Sequence, residues 1–482
     1  MCLAEEDNSK YMFEQHKNIC LLCSLGCGLI IETEFNEALN LEYDRDDPVG
    51  EGTLCSKGNY ALELINHPFR LVEPASDGKI LGWDETINTI AQHVLSSKEK
   101  SSVGLILGGD ASLEDVITAR YFTETCLNND LFSVYFATGD DEVQHALAPN
   151  PTATMDDIEK SDCILAVGDP FTVGPVIARR ILRMKRSRKG NMLTVISKEA
   201  NATSRFATVH LKGPERTVLT SLLRAVMEKS EGNSPEWKKA VTENETLSTD
   251  PAVLRTAEAF VKASSATLIL ETQDPVTAQL TSAIVTAAGT DKRLYPLNSY
   301  GNTRGICEML GERKTVGELI DAVERGELET LIILGGDPLS GVPGRDIVSA
   351  LGKVGYLVTG AAFENKTTQI AHMVLPTALW LETEGTYNGE NRKPVIEPPG
   401  GALSYGEILK RIAVKMGEKL PEPSLEPVQI SEELTGEKIT ALLQKAKEEA
   451  PEYPVQSTAI RHADGSLTDA MSFMKFQGRK DW

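Results

Sequence analysis

Cys20-Leu21-Leu22-Cys23-Ser24-Leu25-Gly26-Cys27-Gly28, joined later by Leu54-Cys55-Ser56-Lys57-Gly58, is the stretch on which the reading of this chain turns. Two, three and then twenty-seven residues separate its four cysteines. Three thiolates packed this closely can wrap an iron–sulfur cubane, and a remote fourth closes it. One [4Fe–4S] cluster on Cys20, Cys23, Cys27 and Cys55 is therefore expected. Gly26 and Gly28 allow tight turns and are expected to offer amide donors to sulfur. Structural zinc is the competing reading, because four cysteines also suit a tetrahedral ion. Zinc sites usually pair short spacings on both sides, whereas Cys55 stands alone. His16, four residues before Cys20, could act as a ligand; beside four cysteines it reads as a solvated neighbour.

The totals frame that motif. With 482 residues, 41% of them apolar and 25% charged, the chain has a soluble globular composition and room for two to four packed units. A net charge of −21 argues against nucleic acid or an anionic membrane as partner, because phosphate would be repelled. No apolar run reaches the roughly 18 residues that span a bilayer. Met1 to Lys10 is acidic and polar, and Arg179–Arg180 lies too deep to be an export signal. A cytoplasmic protein without direct membrane insertion is expected. Of the eight cysteines, Cys2, Cys126, Cys163 and Cys307 are scattered. Disulfides are unusual in a reducing compartment, so the gathered four need another role.

Beyond the cysteines, His67 to Leu71 reads as an extended linker, and a helix is expected after Trp83 with Asp84 as its cap. From Ser102 apolar runs alternate with helical patterns: Val103 to Leu107 is a buried strand, and Asp115 to Asn128 a helix. Such alternation marks parallel sheets covered by helices. Two segments echo each other. Cys163 to Val167 leads into Gly168-Asp169-Pro170 and a helix over Val176 to Met184. Leu331 to Leu334 leads into Gly335-Gly336-Asp337-Pro338, then Gly341 and a short helix over Asp346 to Leu351. Ligands of open α/β sheets bind at such strand ends, although turns of this kind also serve packing.

The cysteine spacing followed by Cys55-Ser56-Lys57-Gly58 resembles the cluster motif of the molybdopterin oxidoreductases. The late segment Asn365 to Arg392, with Leu375-Pro376, Trp380-Leu381-Glu382 and Gly385-Thr386-Tyr387-Asn388, looks like a second stretch of that family. It departs at His372, where the family carries Asp, and at Lys393, where it carries Arg. The resemblance covers roughly residues 13 to 420. It implies an α/β fold of the formate dehydrogenase/DMSO reductase type: a small N-terminal [4Fe–4S] domain and two doubly wound α/β domains. On that template the [4Fe–4S] domain takes 13–72 with 376–405, the first α/β domain 73–137 and 265–375, and an inserted second α/β domain 138–264. In catalytic relatives the lysine of the last motif couples cluster to pterin, which assigns that position to Lys57.

Two departures bear on function. Catalytic relatives offer selenocysteine, cysteine, serine or aspartate to molybdenum or tungsten from a loop equivalent to Phe136–Pro149. That stretch has no cysteine; Asp140 and Asp141 are its carboxylate candidates, and His145 has no cysteine beside it. Cys126 reads as a packing residue. Relatives also carry a C-terminal β-barrel over the pterin. Here 421–482 reads as linker, one helix (Ser431 to Glu449) and a docking tail with Phe473, Phe476 and Trp482, so no barrel is expected. The favoured expectation is an iron–sulfur electron-transfer and scaffold subunit working with flavin- and iron–sulfur-containing redox subunits, without a molybdenum or tungsten site of its own. The alternative is a catalytic subunit of formate dehydrogenase or formylmethanofuran dehydrogenase type. That subunit would hold molybdopterin guanine dinucleotide with molybdenum or tungsten, under a separately encoded C-terminal domain.

Overall fold

The computed structural model describes residues 13–446 except 99–101, 137–142, 144–145, 148–149, 231–236, 238, 240–249, 273, 299, 312, 341–345 and 426–434. Gly341, Asp140, Asp141, His145 and the tail aromatics Phe473, Phe476 and Trp482 lie outside the described residues.

The chain opens with a three-stranded antiparallel sheet of β1 (Glu14–Ile19), β2 (Gly28–Glu34) and β3 (Glu37–Tyr43). Next come the short strands β4 (Ala75–Ser76) and β5 (Lys79–Ile80). The parallel strands β6 (Val103–Gly108) and β7 (Phe132–Tyr135) follow. The chain then leaves this sheet and builds another from β8 (Cys163–Val167), β9 (Met192–Ser197), β10 (Val209–Lys212), β11 (Ala266–Leu270) and β12 (Lys292–Pro296). It returns with β13 (Thr330–Leu334), β14 (Tyr356–Ala361) and β15 (Met373–Pro376), and ends its strands in the hairpin β16 (Gly385–Tyr387) and β17 (Glu390–Arg392).

The first α/β sheet has the order β5-β4-β15-β14-β13-β6-β7 and the second β10-β9-β8-β11-β12. Central strands are almost wholly apolar and buried on both faces, which is what parallel pairing under two helix layers requires. In β8, Cys163, Leu165 and Val167 face one core while Ile164 and Ala166 face another. In the first sheet, Leu105 and Leu107 face one helix layer and Ile106 the other. Both α/β units are thus doubly wound.

The expected boundary at 264 is corrected. β11 pairs with β8 over Ala266↔Cys163 to Leu270↔Val167, and β12 adds beyond it, so the inserted unit's strands run on to Pro296. Three smaller corrections follow from local geometry. The helix Trp83–Lys98 begins one residue before Asp84, which sits in its first turn. The next helix starts at Leu113, where Ser112 and Asp115 form a reciprocal capping box, and it continues from Phe122 to Leu127 as a π-turn. The tail helix, Gly436–Lys445, does not await a partner: Ile439, Leu442 and Leu443 are buried in the core of the second α/β unit.

Cys126 is buried in the core of the first unit. His16 lies on β1, with Nε2 2.9 Å from the Thr33 hydroxyl. Trp380, Leu381, Tyr387 and Val395 share the core of the N-terminal sheet with Ile19, Cys20, Leu21 and Leu29.

Candidate iron–sulfur centre and nucleotide crevices

The register of β1 on β2 pairs Ile19 with Gly28, so Cys20–Cys27 is the connection between two strands. The Cys20 amide donates to the Cys27 carbonyl at 2.8 Å and closes that loop. Gly26 has φ 69° and lies against the Asn388 side chain, a close approach in a left-handed conformation that a Cβ would block. The segment after β12 holds the loop from the other side. Ser24 N–H donates to the Asn298 carbonyl at 3.0 Å, Asn298 N–H to Ser24 Oγ at 2.8 Å, and Gly301 N–H to the Leu21 carbonyl at 3.1 Å.

Cys55 precedes the short helix Ser56–Asn59 as its N-cap. Of the four, only Cys55 is partly exposed. Cys23 and Cys27 are buried with Met155, Ile177 and Leu297 of the second α/β unit, whereas Cys20 belongs to the small N-terminal core. The chamber therefore sits at the seam between two units.

Its electrostatics record the crowding of four sulfurs. Burial pushes the Cys20 thiol up to about 12, with the charges of Cys23 and Cys55 adding. Burial also raises Cys23 and Cys27; Cys27 feels Cys23, Cys20, Cys55 and Asp47. Against this, the Leu22 amide donates to Cys20 and the Leu25 amide to Cys23, and the Lys57 charge favours both thiolates. The amide donors to these two sulfurs come from Leu22 and Leu25. Among the described residues no three His, Cys, Asp or Glu side chains close on a single ion. The thiols are close enough for their charges to act on one another, as a shared cluster requires. The residues present fit a [4Fe–4S] cluster, which would supply one-electron redox chemistry and the cationic charge that four crowded thiolates, three of them buried, require.

Lys57 is itself buried, and its Nζ donates to the Val173 carbonyl at 3.4 Å. Val173 ends the helix Pro170–Val173 that follows the Gly168-Asp169-Pro170 turn. Lys57 thus spans from the thiol chamber to the edge of the second unit where the strands end at their carboxyl side.

That edge can be located by topology. In the second sheet, β8 and β11 are neighbours whose following helices pack on opposite faces; in the first, β6 and β13 have the same relation. Crevices for nucleotides open at such points. The two Gly-Asp-Pro turns sit there and share a tie that their own residues do not announce. Asn201 donates to the Gly168 carbonyl at 3.0 Å, and Thr203 N–H and Oγ1 donate to Asp169 at 3.0 and 2.6 Å. Asn365 donates to the Gly336 carbonyl at 3.3 Å, and Thr367 N–H and Oγ1 donate to Asp337 at 3.1 and 2.5 Å. The signal in the sequence was the pair Asn201-Ala202-Thr203-Ser204 and Asn365-Lys366-Thr367-Thr368.

Both crevices are lined by the chain's own side chains. In the second, Glu271 packs on Gly168 and accepts the Asp169 N–H at 3.1 Å, an amide that a phosphate oxygen would otherwise meet. Burial raises the Glu271 pKa, with Glu215 and Asp169 adding, and burial raises that of Glu215. In the first, Tyr405 presses on Gly335, Tyr135 on Gly336, and Phe136 and Tyr300 on Gly109. Tyr405 Oη donates to Asp110 Oδ2 at 3.0 Å, while Asp110 Oδ1 is buried without a hydrogen-bond partner among the described residues. As they stand, Glu271 takes the Asp169 amide and Tyr405 and Asp110 crowd Gly335, so these side chains would have to move before a pyrophosphate could lie on either turn.

Burial, reinforced by Asp115, raises the Asp110 pKa. A carboxyl raised in the folded state contributes stability that is complete below its ordinary value and is lost as pH rises through the folded value. Asp110→Asn removes that dependence. The stability of Asp110→Asn relative to wild type is expected to be small below about pH 4 and to grow by up to about 1.4 kcal/mol per pH unit above it. Thermal melts from pH 4 to 8 check this.

These features place the chain in a class. Residues 14–67 match the Molybdopterin oxidoreductase Fe4S4 domain and residues 79–415 match Molybdopterin oxidoreductase. The chain belongs to the molybdopterin oxidoreductase family. It is 25% identical to the F420-dependent formate dehydrogenase subunit alpha of Methanocaldococcus jannaschii over 84% of this chain and 71% of that one. It is 24% identical to an NADH-quinone oxidoreductase subunit of Rhizobium meliloti over 86% of this chain and 55% of that one. The acetylene hydratase of Pelobacter acetylenicus shares the fold, with TM-score 0.68 and 14% identity over 83% of this chain and 69% of that one. Among the described residues no helix is long and apolar enough to cross a membrane.

Proposed function

We propose that this chain is an iron–sulfur electron-transfer and scaffold subunit of a cytoplasmic multi-subunit oxidoreductase. Cys20, Cys23, Cys27 and Cys55 hold one [4Fe–4S] cluster, which passes single electrons between neighbouring redox subunits. The chain has no molybdenum or tungsten site of its own. The observation that supports this reading is the crowding of the two strand-end turns: Glu271 takes the Asp169 amide, and Tyr405, Asp110 and Tyr135 pack against Gly335 and Gly336. Relatives named as subunits of formate and quinone-linked oxidoreductases support membership of a larger assembly.

An electron can reach a partner at two places. Cys55 is the ligand nearest solvent, and a groove of about 900 Å³ opens beside Leu25 and Gly26, edged by Asp44, Asp47 and Arg304. Lys57 sets the driving force. Its cationic charge stabilises the reduced, more negative cluster, so Lys57→Met is expected to lower the reduction potential by on the order of 100 mV with iron content unchanged. A potentiometric titration followed by EPR reads it.

Elemental analysis of the anaerobically purified native complex tests the function, reporting iron, molybdenum and tungsten for each copy of this chain after subtracting the partners' clusters. About four irons with neither heavier metal is the expected result. One molybdenum or tungsten per chain would overturn the relay reading in favour of a catalytic subunit.

A further inference from the structure

The loop that delivers Cys55 is gripped by an arginine-rich helix of the other unit. Helix Ile177–Ser187 carries Arg179, Arg180 and Arg183 toward Pro48–Thr53, the residues just before Leu54-Cys55. Arg179 Nη1 donates to the Gly50 carbonyl and to Thr53 Oγ1, both at 2.9 Å, and its Nη2 meets Glu51 Oε2 at 2.8 Å. Arg180 Nη2 reaches Glu51 Oε1 at 2.7 Å and also donates to the Pro48 carbonyl. Its Nη1 bonds Glu159 at 2.6 Å. Arg183 Nη1 reaches Glu51 at 2.7 Å. Glu51 thus faces three guanidinium groups, in a chain whose net charge is −21.

The gripped loop is not at ease by itself. Glu51 has φ 46°, a left-handed conformation that disfavours a side chain, and Gly52 follows at φ 73°. The loop also lies over a second thiol, since a Cβ on Gly50 would stand 3.4 Å from Cys27 Cβ. The same α/β unit meets the chamber again where Lys57 reaches Val173 and where Gly174 packs on Leu25.

We infer that Arg179, with Arg180 and Arg183, is a positioning group for the cluster: the arginines fix the loop that holds Cys55 and set how firmly the cluster keeps its most exposed iron. The inference rests on the assignment of a [4Fe–4S] cluster to the four cysteines and is independent of whether a pterin is present. Cys55 is the ligand that water can approach, so any loosening of its loop is felt first at the iron it binds. Oxidation of the resting cluster by one electron, taken by ferricyanide, releases one Fe²⁺ and leaves a three-iron cluster with the Cys55 thiolate free. The rate of that conversion reports the grip directly.

The experiment uses the full chain, purified anaerobically with four irons, treated with ferricyanide and followed by the EPR signal of the oxidised three-iron cluster. Arg179→Ala is expected to form that signal roughly tenfold faster than wild type, the rate equivalent of one lost charge-assisted hydrogen bond. Arg179→Lys should recover part of the difference, since one ammonium can replace some of the fork. Arg188→Ala, at the end of the same helix and paired with Asp162, should match wild type. Raising sodium chloride from 0.1 to 1 M, where the screening length falls to about 3 Å, should move wild type toward Arg179→Ala. An unchanged rate in Arg179→Ala, or equal acceleration by Arg188→Ala, overturns the inference. If Arg179→Ala does not fold, the salt series on wild type decides, and a flat rate overturns it. Wild type without a four-iron cluster would sink both this inference and the cofactor assignment, whereas molybdenum beside an intact salt response would sink only the relay reading.

Discussion

Glu382→Ala is expected to cost about 3–5 kcal/mol, because it strands a buried guanidinium. Arg70 and Glu382 form a two-pronged ion pair at 2.5 and 2.8 Å, with side-chain exposures of 3% and 0%. Glu382 also accepts the Leu379 N–H at 2.8 Å, and Arg70 lies over the Phe363 ring at 5.5 Å. The pair joins the linker after the cysteine region to the late segment that carries β16 and β17, and so holds the N-terminal sheet onto the body. Without its partner, Arg70 has only the Thr377 carbonyl at 3.4 Å among the described residues, and little access to water. Removing both charges is a different case. Arg70→Met combined with Glu382→Leu keeps volume and leaves nothing charged behind, so the double variant should recover most of the loss. Urea unfolding of the two single variants and the double variant measures this. A double variant no more stable than either single would mean that the pair's value lies in its geometry rather than in mutual neutralisation.

What the sequence made legible, and what it hid, follows from the range of the interactions. The cysteine spacing was readable because ligand order is fixed along the chain. The central strands were readable because a strand covered on both faces is apolar at nearly every position, as Cys163–Val167 and, after its first threonine, Thr330–Leu334 are. The partner of a strand is another matter. Ala266–Leu270 is apolar but for one threonine, as Thr330–Leu334 is, and only its pairing with β8 assigns it to the inserted unit. The helix Gly436–Lys445 shows the same gap: an amphipathic face states that it will be covered but not by what, and here the cover is the chain's own core.

The residues that shape the crevices were harder still. Glu271 and Asp110 each follow an apolar strand, where a carboxylate normally reads as a solvated turn residue. Their burial depends on glycines brought from distant positions, Gly168 for Glu271 and Gly335 for Asp110. The arginines of Ile177–Ser187 show the same limit, because nothing along the chain says that Glu51, far earlier in the sequence, is set against them.

Cys23→Ser should abolish the cluster, leaving less than roughly one iron per chain, whereas Cys55→Ser should keep roughly three. The difference comes from where each sulfur sits. Cys23 is buried with Leu25, Cys27, Met155 and Ile177, and no water can complete the coordination of an iron left there. A serine hydroxyl ionises far less readily than a thiol, and the pocket that already raises the Cys23 pKa by burial opposes an alkoxide more strongly. The three remaining thiols then lose the cationic charge that would compensate their crowding, and Cys20, pushed up to about 12, returns to its protonated form. Cys55 stands at the partly exposed end of the chamber, where water or hydroxide can reach the vacated iron or replace it. Iron per chain and the EPR type of what remains, four-iron against three-iron, separate the two variants in one preparation. Because a cluster on these four cysteines would tie the N-terminal sheet to the inserted unit, Cys23→Ser should also lower the temperature of the first unfolding transition, and Cys55→Ser should lower it less. Equal iron loss in both would mean that the fourth ligand is as shielded as the other three, and that the loop grip on Cys55 is tighter than its exposure suggests.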